Sequence, residues 1–436
     1  MRINSKAKPG DYVEIHFSKL IYEGILLQVP ENEKGIVLLK LNSGYNIGFN
    51  KKDILEIKVK GRKKYFEEKI QIKKSSEKPN IAMIITGGTI ASRLDSRTGG
   101  VDPLDTPESL FKFYPELFEK VNVSKVEIPF MKSSEDMDFK DWQKIAKVAE
   151  KLLNDGNVKG IIITHGTDTL HYTSSALSFF LRDLNKPVVL TYSQRSIDRA
   201  SSDANLNLQC ATQAAISDIA EVMLVGHATT NDDFCYALPG TKTRKMHTSR
   251  RDAFKVVNSK PFAKIFPDRI EIISHHKKRL AYASYGKWKV KLDSKFEEKI
   301  ALLKIYPGQK PDVLDYYAKK KYKGIILEVT GLGHVPTKGK NSWIKKLKEI
   351  QKKNIVVCAT AQTIYGRLDP LVYSNGRILL ESGVIFLEDM LSETAFVKLG
   401  WVLGHREWAK SKEIIKEKML ENFARELNDR LEKEDF

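Results

Sequence analysis

Apolar and polar side chains alternate one for one over residues 11–16, Asp11-Tyr-Val-Glu-Ile-His16, the period of a strand with one buried face. Similar runs at 22–28, 35–40 and 45–49 are separated by Pro, Gly and Asn, the residues that supply turns. Short strands joined by tight turns predict a small N-terminal β-barrel. The stretches 58–64 and 73–79 are Lys-rich and weakly apolar, which predicts a linker and a domain boundary near residue 75.

From Asn80 the pattern changes to strands and helices in alternation. The runs 81–85, 160–164 and 186–191 have the length and composition of buried strands. Between the first two, Trp142, Ile145, Ala146, Val148, Ala149, Leu152 and Leu153 recur at helical spacing over 141–154, and 170–184 is similar. That alternation predicts an α/β fold with a parallel sheet and crossover helices. A second block, with strands at 300–305, 324–329 and 354–359, predicts a smaller α/β domain. The end of the chain, from Trp408, carries a Lys- and Glu-rich helical pattern whose last part is expected to be an exposed tail. The expected division is 1–75, 76–285 and 286–436.

Composition narrows the class. With 436 residues, 42% hydrophobic and 29% charged, the chain can bury two or three cores and is not disordered. No apolar run reaches 18 residues, and the start lacks the apolar stretch of a signal peptide, so a cytoplasmic location with no membrane contact is expected. Cys210, Cys235 and Cys358 are too scattered for a zinc site or a disulfide framework and read as buried small residues. The net charge is +18, and residues 1–80 hold 17 basic against 10 acidic side chains, a net of +7. Charge alone leaves both a polyanionic partner and a solvated Lys-rich surface open.

Two motifs carry candidate chemistry. Thr86-Gly-Gly-Thr89-Ile-Ala-Ser92 follows the strand 81–85 directly and has neither the glycine spacing nor the Lys of a phosphate loop. It places hydroxyls and two glycines where a parallel strand ends, which suits either a ligand site or a helix-capping turn. His165-Gly-Thr167-Asp168-Thr169 follows the strand 160–164 and should open on the same edge. His165 is expected to be structural. A threonine hydroxyl needs a base to become a nucleophile, and a lysine oriented by a carboxylate can serve. The residue pattern alone does not choose among the lysines.

These two motifs, Ser134-Glu135-Asp136-Met137, and Thr243-Arg244-Lys245-Met246-His247-Thr248-Ser249 ahead of Phe254-Lys-Val256 together resemble the ordered motifs of the L-asparaginase and glutaminase family over residues 80 to about 405. The resemblance implies an asparaginase-like two-domain fold and the hydrolysis of a side-chain amide. It implies Thr89 as nucleophile, Lys245 as base, Asp168 as its orienter, and Thr167 as the hydroxyl that passes the proton or activates water. Ser134, Glu135 and Asp168 match positions that hold the substrate's α-carboxylate and α-ammonium. Backbone N–H groups around Thr89 and near Ser193 are expected oxyanion donors. No cofactor is implied for this step.

Two departures shape the expectation further. The segment from Ser92 to Phe113 lacks the tyrosine common in asparaginases, the next being Tyr114, and Glu135 stands where free asparaginases commonly carry glutamine. With the β-rich N-terminal domain, these features are similar to the D subunits of archaeal glutamyl-tRNA(Gln) amidotransferases. Membership of that group implies glutamine as substrate, a homodimer, and an E subunit that binds glutamyl-tRNA(Gln), uses ATP and Mg, and receives the ammonia. The alternatives are a stand-alone L-asparaginase and, from another class, a non-catalytic amino acid sensor.

Overall fold

The computed structural model describes residues 7–29, 35–41, 46–62, 75–94, 101–103, 117–197, 199, 201–279 and 288–433. The central element is an eight-stranded sheet, in neighbour order Ile270–Ile272, Ala263–Ile265, Cys235–Pro239, Val222–His227, Val188–Thr191, Ile161–Thr164, Asn80–Ile85 and Asn122–Glu127. The last five of these run parallel, and the first three form an antiparallel extension.

Strand alternation explains why the parallel strands read as unbroken apolar runs. Ala82 and Ile84 face one core with Ile161, Ile163, Val188 and Leu190, whereas Ile81, Met83 and Ile85 face another with Ile162 and Val189. Helix Phe139–Leu153 covers the first face. It starts at a capping box in which Asp138 and Asp141 each bond the other's backbone N–H, and its stripe of Trp142, Ile145, Ala146, Ala149, Leu152 and Leu153 is buried.

A four-stranded parallel sheet follows in the order Ile300–Lys304, Gly324–Val329, Val356–Ala361 and Ile385–Phe386. Its inner residues Ile326 and Cys358 share the first core of the large sheet through helix Ser392–Gly404. Its outer residues Ile325, Leu327, Val357 and Ala359 form a separate core with Trp343 and Leu347.

At the N-terminus, five antiparallel strands are ordered Asn46–Asn50, Ile36–Leu41, Ile21–Leu27, Asp11–His16 and Glu56–Arg62. Two findings differ from expectation here. Among the described residues no ladder joins the end strands; along the chain between them lie the 3-10 turn Lys51–Asp53 and Ile54, which is buried in the core of this sheet. Residues 58–62, expected as the start of a linker, belong to the strand Glu56–Arg62, which is paired with Asp11–His16. The Lys-rich stretch 63–74 lies outside the described residues.

The C-terminal end departs in part from the expected exposed tail: residues 429–433 are mostly exposed, but the segment before them is not. After helix Lys412–Leu420 the chain docks on the core, with Leu427 buried and Lys398 Nζ 2.6 Å from Glu426 Oε1, both side chains inaccessible to solvent. The three cysteines are buried and free. Among the described residues no helix is long and apolar enough to cross a membrane.

Candidate active site

Register brings the motif turns to one edge of the large sheet. Thr164 is paired with Ile85 on one side and Thr191 on the other, so the strands 80–85, 161–164 and 188–191 end together. The first turns are stitched to their neighbours: Thr86 donates to the Thr164 carbonyl from its hydroxyl at 2.8 Å, and the His165 N–H donates to the Thr191 carbonyl at 3.1 Å.

Glycines then let three loops pack backbone to backbone. Gly88 has φ of +83°, and a Cβ there would lie 2.4 Å from the Gly166 nitrogen; one on Gly87 would lie 2.4 Å from the Lys132 carbonyl oxygen. Thr89 and Thr167 thus each follow one glycine of a touching pair. The Ser134 hydroxyl accepts from the N–H of Asp168 at 3.1 Å and of Thr169 at 3.4 Å, tying the adjacent loop to the turn that precedes helix Leu170–Phe180. Thr169 Oγ1 returns a bond to the Ser134 carbonyl at 2.6 Å.

Lys245 reaches this edge from a two-stranded hairpin, Thr243–Lys245 with Phe254–Val256. Its ammonium nitrogen donates to Thr167 Oγ1 and to Asp168 Oδ1, both at 2.7 Å. The Lys245 side chain is 11% exposed and that of Asp168 62%, so the pair sits at a mouth with the amine on the inner side. A cleft of about 350 Å³ opens there, lined by Asp168, His171, Arg244, Lys245, Met246, His247, Thr248 and Glu393.

The remaining sequence candidates fall around this set. Thr89 is half-buried at the start of the 3-10 turn Thr89–Ala91 and, among the described residues, has no hydrogen bond to Thr167, Asp168 or Lys245. Glu135 is exposed on the turn that carries the buried Ser134. Ser193 is buried beyond the strand Val188–Thr191 and donates its hydroxyl to the Arg195 carbonyl at 2.9 Å. The N–H groups of Gln194 and Arg195 are taken by the Asp203 carboxylate at 2.9–3.1 Å, which removes those two from the possible oxyanion donors. Most of the loop after Thr89, the part expected to lack a tyrosine, lies at 95–100 and 104–116, outside the described residues.

His165 is fully buried with both ring nitrogens engaged: Nδ1 donates to the Gly166 carbonyl at 2.7 Å and Nε2 accepts from Thr173 Oγ1 at 2.9 Å. Burial pushes its pKa down to about 4, which keeps the ring neutral and fixes the Gly166 turn. His171 was not singled out by sequence. Burial, followed by the charges of Arg244 and Lys245, pushes it down to about 3. Glu393, also missed, forms an ion pair with Arg244 at 3.1 Å. The available signal was a lone carboxylate at the start of the otherwise apolar helix Ser392–Gly404.

This arrangement can perform acyl transfer. A lysine held by an exposed carboxylate abuts one threonine hydroxyl, and a second threonine stands on the touching loop.

Comparison with known proteins agrees with the architecture. Residues 80–278 match the asparaginase N-terminal family, 299–419 the glutaminase/asparaginase C-terminal domain, and 7–59 the GatD N-terminal domain. The chain is 48% identical over 427 residues to the D subunit of glutamyl-tRNA(Gln) amidotransferase from Pyrococcus furiosus, covering 96% of this chain and 94% of that one. It is 41% identical over 424 residues to the corresponding D subunit from Methanothermobacter thermautotrophicus, covering 97% and 94%. Among solved structures, the thermostable L-asparaginase of Thermococcus kodakarensis superposes with a TM-score of 0.69 at 29% identity, covering 80% of this chain and all of that one. L-asparaginase I of Vibrio cholerae gives 0.67 at 28%, covering 80% and 99%. With a relative this similar along nearly its whole length, and with all three family segments in order, the chain belongs to the family of glutamyl-tRNA(Gln) amidotransferase D subunits, built on the asparaginase fold.

Proposed function

We propose that this chain is the glutaminase of a glutamyl-tRNA(Gln) amidotransferase, an amidohydrolase that uses a threonine nucleophile to release ammonia for a partner subunit. The observation that carries the chemistry is the contact of Lys245 Nζ with both Thr167 Oγ1 and Asp168 Oδ1 at 2.7 Å. The subunit role is supported by the N-terminal match at 7–59 and by the extent of the relatives. Amidotransferase D subunits align over 96–97% of the chain, the two L-asparaginase structures over 80%.

In the proposed course, Thr89 Oγ attacks the side-chain carbonyl carbon of glutamine. Its proton passes to the neutral Lys245 amine, with Thr167 as relay and Asp168 as orienter. Backbone N–H groups around Thr89 and the N–H of Ser193 itself receive the oxyanion. Collapse breaks the C–N bond, the proton returns to the leaving nitrogen, and ammonia departs. Water activated at Thr167 and Lys245 then splits the γ-glutamyl ester, releasing glutamate and restoring Thr89. Ser134, Glu135 and Asp168 hold the α-carboxylate and α-ammonium, the open carboxylate of Glu135 suiting the cation. This step uses no cofactor.

The same proposal includes a homodimer joined to an E subunit, which holds glutamyl-tRNA(Gln), uses ATP and Mg, and forms glutaminyl-tRNA(Gln). This fits a cytoplasmic translation enzyme. Ammonia release from glutamine is to be measured for the chain alone and again with the partner and charged tRNA. A large rise on assembly is expected. Fast, partner-independent turnover of asparagine would instead mean a stand-alone asparaginase.

A further inference from the structure

Three of the four residues before Lys245 are tied to one short segment of the C-terminal domain. Thr394 Oγ1 donates to the Thr241 carbonyl at 2.7 Å. Lys242 Nζ lies 2.6 Å from Asp389 Oδ2, with both side chains inaccessible to solvent. Arg244 Nε lies 3.1 Å from Glu393 Oε1. Behind the hairpin, the His171 ring packs 6.4 Å from that of Phe254, the register partner of Lys245.

Of these ties, the one to Glu393 reaches the cleft. Glu393 Oε2 and His171 Nδ1 are buried and, among the described residues, lack a hydrogen-bond partner, yet both side chains line the space that holds Asp168 and Lys245. Leaving a buried carboxylate oxygen unpaired is costly, and the ion pair with Arg244 offsets that cost while holding the carboxylate beside Lys245.

We propose that Glu393 is a positioning residue for the amide hydrolysis: acting from the C-terminal domain through Arg244, it fixes the strand that carries Lys245 and holds the amine against Thr167 and Asp168. The charged and titratable groups around it are Arg244, Lys245, Asp168, His171, Tyr172 and Glu328. His171 stays neutral, so Arg244 supplies the compensating cation. Removing the carboxylate leaves Arg244 without its partner and frees the strand that carries Lys245.

The proposal rests on Lys245 as the base, and the experiment separates the two. Glutamine hydrolysis is followed with the full chain in its amidotransferase complex, for Glu393→Ala, Glu393→Gln and Lys245→Ala. Glu393→Ala is expected to lower kcat at least about tenfold and to change KM less than about threefold. Glu393→Gln keeps an acceptor for Arg244 Nε, so most of kcat should return. If Glu393→Ala does not fold, Arg244→Ala removes the tie from its more exposed side and should act alike. Loss of thermal stability with kcat unchanged, or no recovery of kcat in Glu393→Gln, would overturn the positioning role. An active Lys245→Ala would overturn the base assignment instead.

Discussion

Lys245 and Thr167 are 78 residues apart in sequence, yet the lysine amine stands 2.7 Å from the threonine hydroxyl. The hairpin brings one and the sheet edge the other. Removing the amine removes the group proposed to take the nucleophile's proton, so Lys245→Ala should lower kcat for glutamine by about 10²–10⁴. Its side chain is mostly buried but belongs to no apolar core, so circular dichroism and melting should change little. Wild-type turnover in a folded Lys245→Ala protein would contradict the assignment.

Gly88 is predicted to tolerate no side chain. A Cβ would meet the Gly166 backbone at 2.4 Å, and φ of +83° with ψ of 170° is a nearly glycine-only backbone region that costs an alanine roughly 1–3 kcal/mol more. Gly88→Ala should therefore force the Thr89 and Thr167 loops apart. Steady-state kinetics should show ammonia release falling more than about tenfold, with a lower melting temperature. Unaltered kinetics would mean that the approach of the two loops is unimportant.

The buried histidines predict an acid-labile fold. His165 and His171 have folded pKa values near 4 and 3, below the 6.5 of an unfolded histidine, so between these limits the unfolded chain binds more protons. Their contribution is present above about pH 6.5 and is lost progressively as pH falls toward 4. Replacing His165 by Gln should weaken the protein at pH 7 but flatten the fall of melting temperature between pH 6.5 and 4.5. An equally steep fall in the variant would show that His165 is not titrating as described.

Glu426 anchors the chain end. Lys398 donates to it at 2.6 Å and also to the carbonyl of Met419, both away from solvent, and to the carbonyl of Glu421. Glu426→Ala strands a buried ammonium and should cost about 3–5 kcal/mol in chemical denaturation. Replacing both residues by apolar ones should recover much of that loss. A single variant as stable as the wild type would refute the burial of this pair.

The apolar strands were legible because each feeds cores on both faces, which leaves long hydrophobic runs in the sequence. The motif turns were legible because glycine and hydroxyl residues follow those runs directly. The strand Glu56–Arg62 was not. Its Lys58, Val59 and Lys60 are all exposed, and the backbone ladder to Asp11–His16 defines it rather than an apolar stripe. Glu393 and Glu426 escaped for a related reason. Pattern reading assigns carboxylates to the surface, whereas these are buried against cations 149 and 28 residues away that only the fold reveals. The motif gave Lys245 its place in the site by resemblance, and the geometry supplies its partners.

The nucleophile is the centre of the proposed chemistry, and trapping the acyl intermediate tests it most directly. Glutamine is mixed with the enzyme, the reaction is quenched in acid within a turnover, and the digest is read by mass spectrometry. One γ-glutamyl group is expected as an ester on the peptide containing Thr89, and none in Thr89→Val. A glutamyl ester on Thr167, or steady hydrolysis by Thr89→Val, would contradict the mechanism.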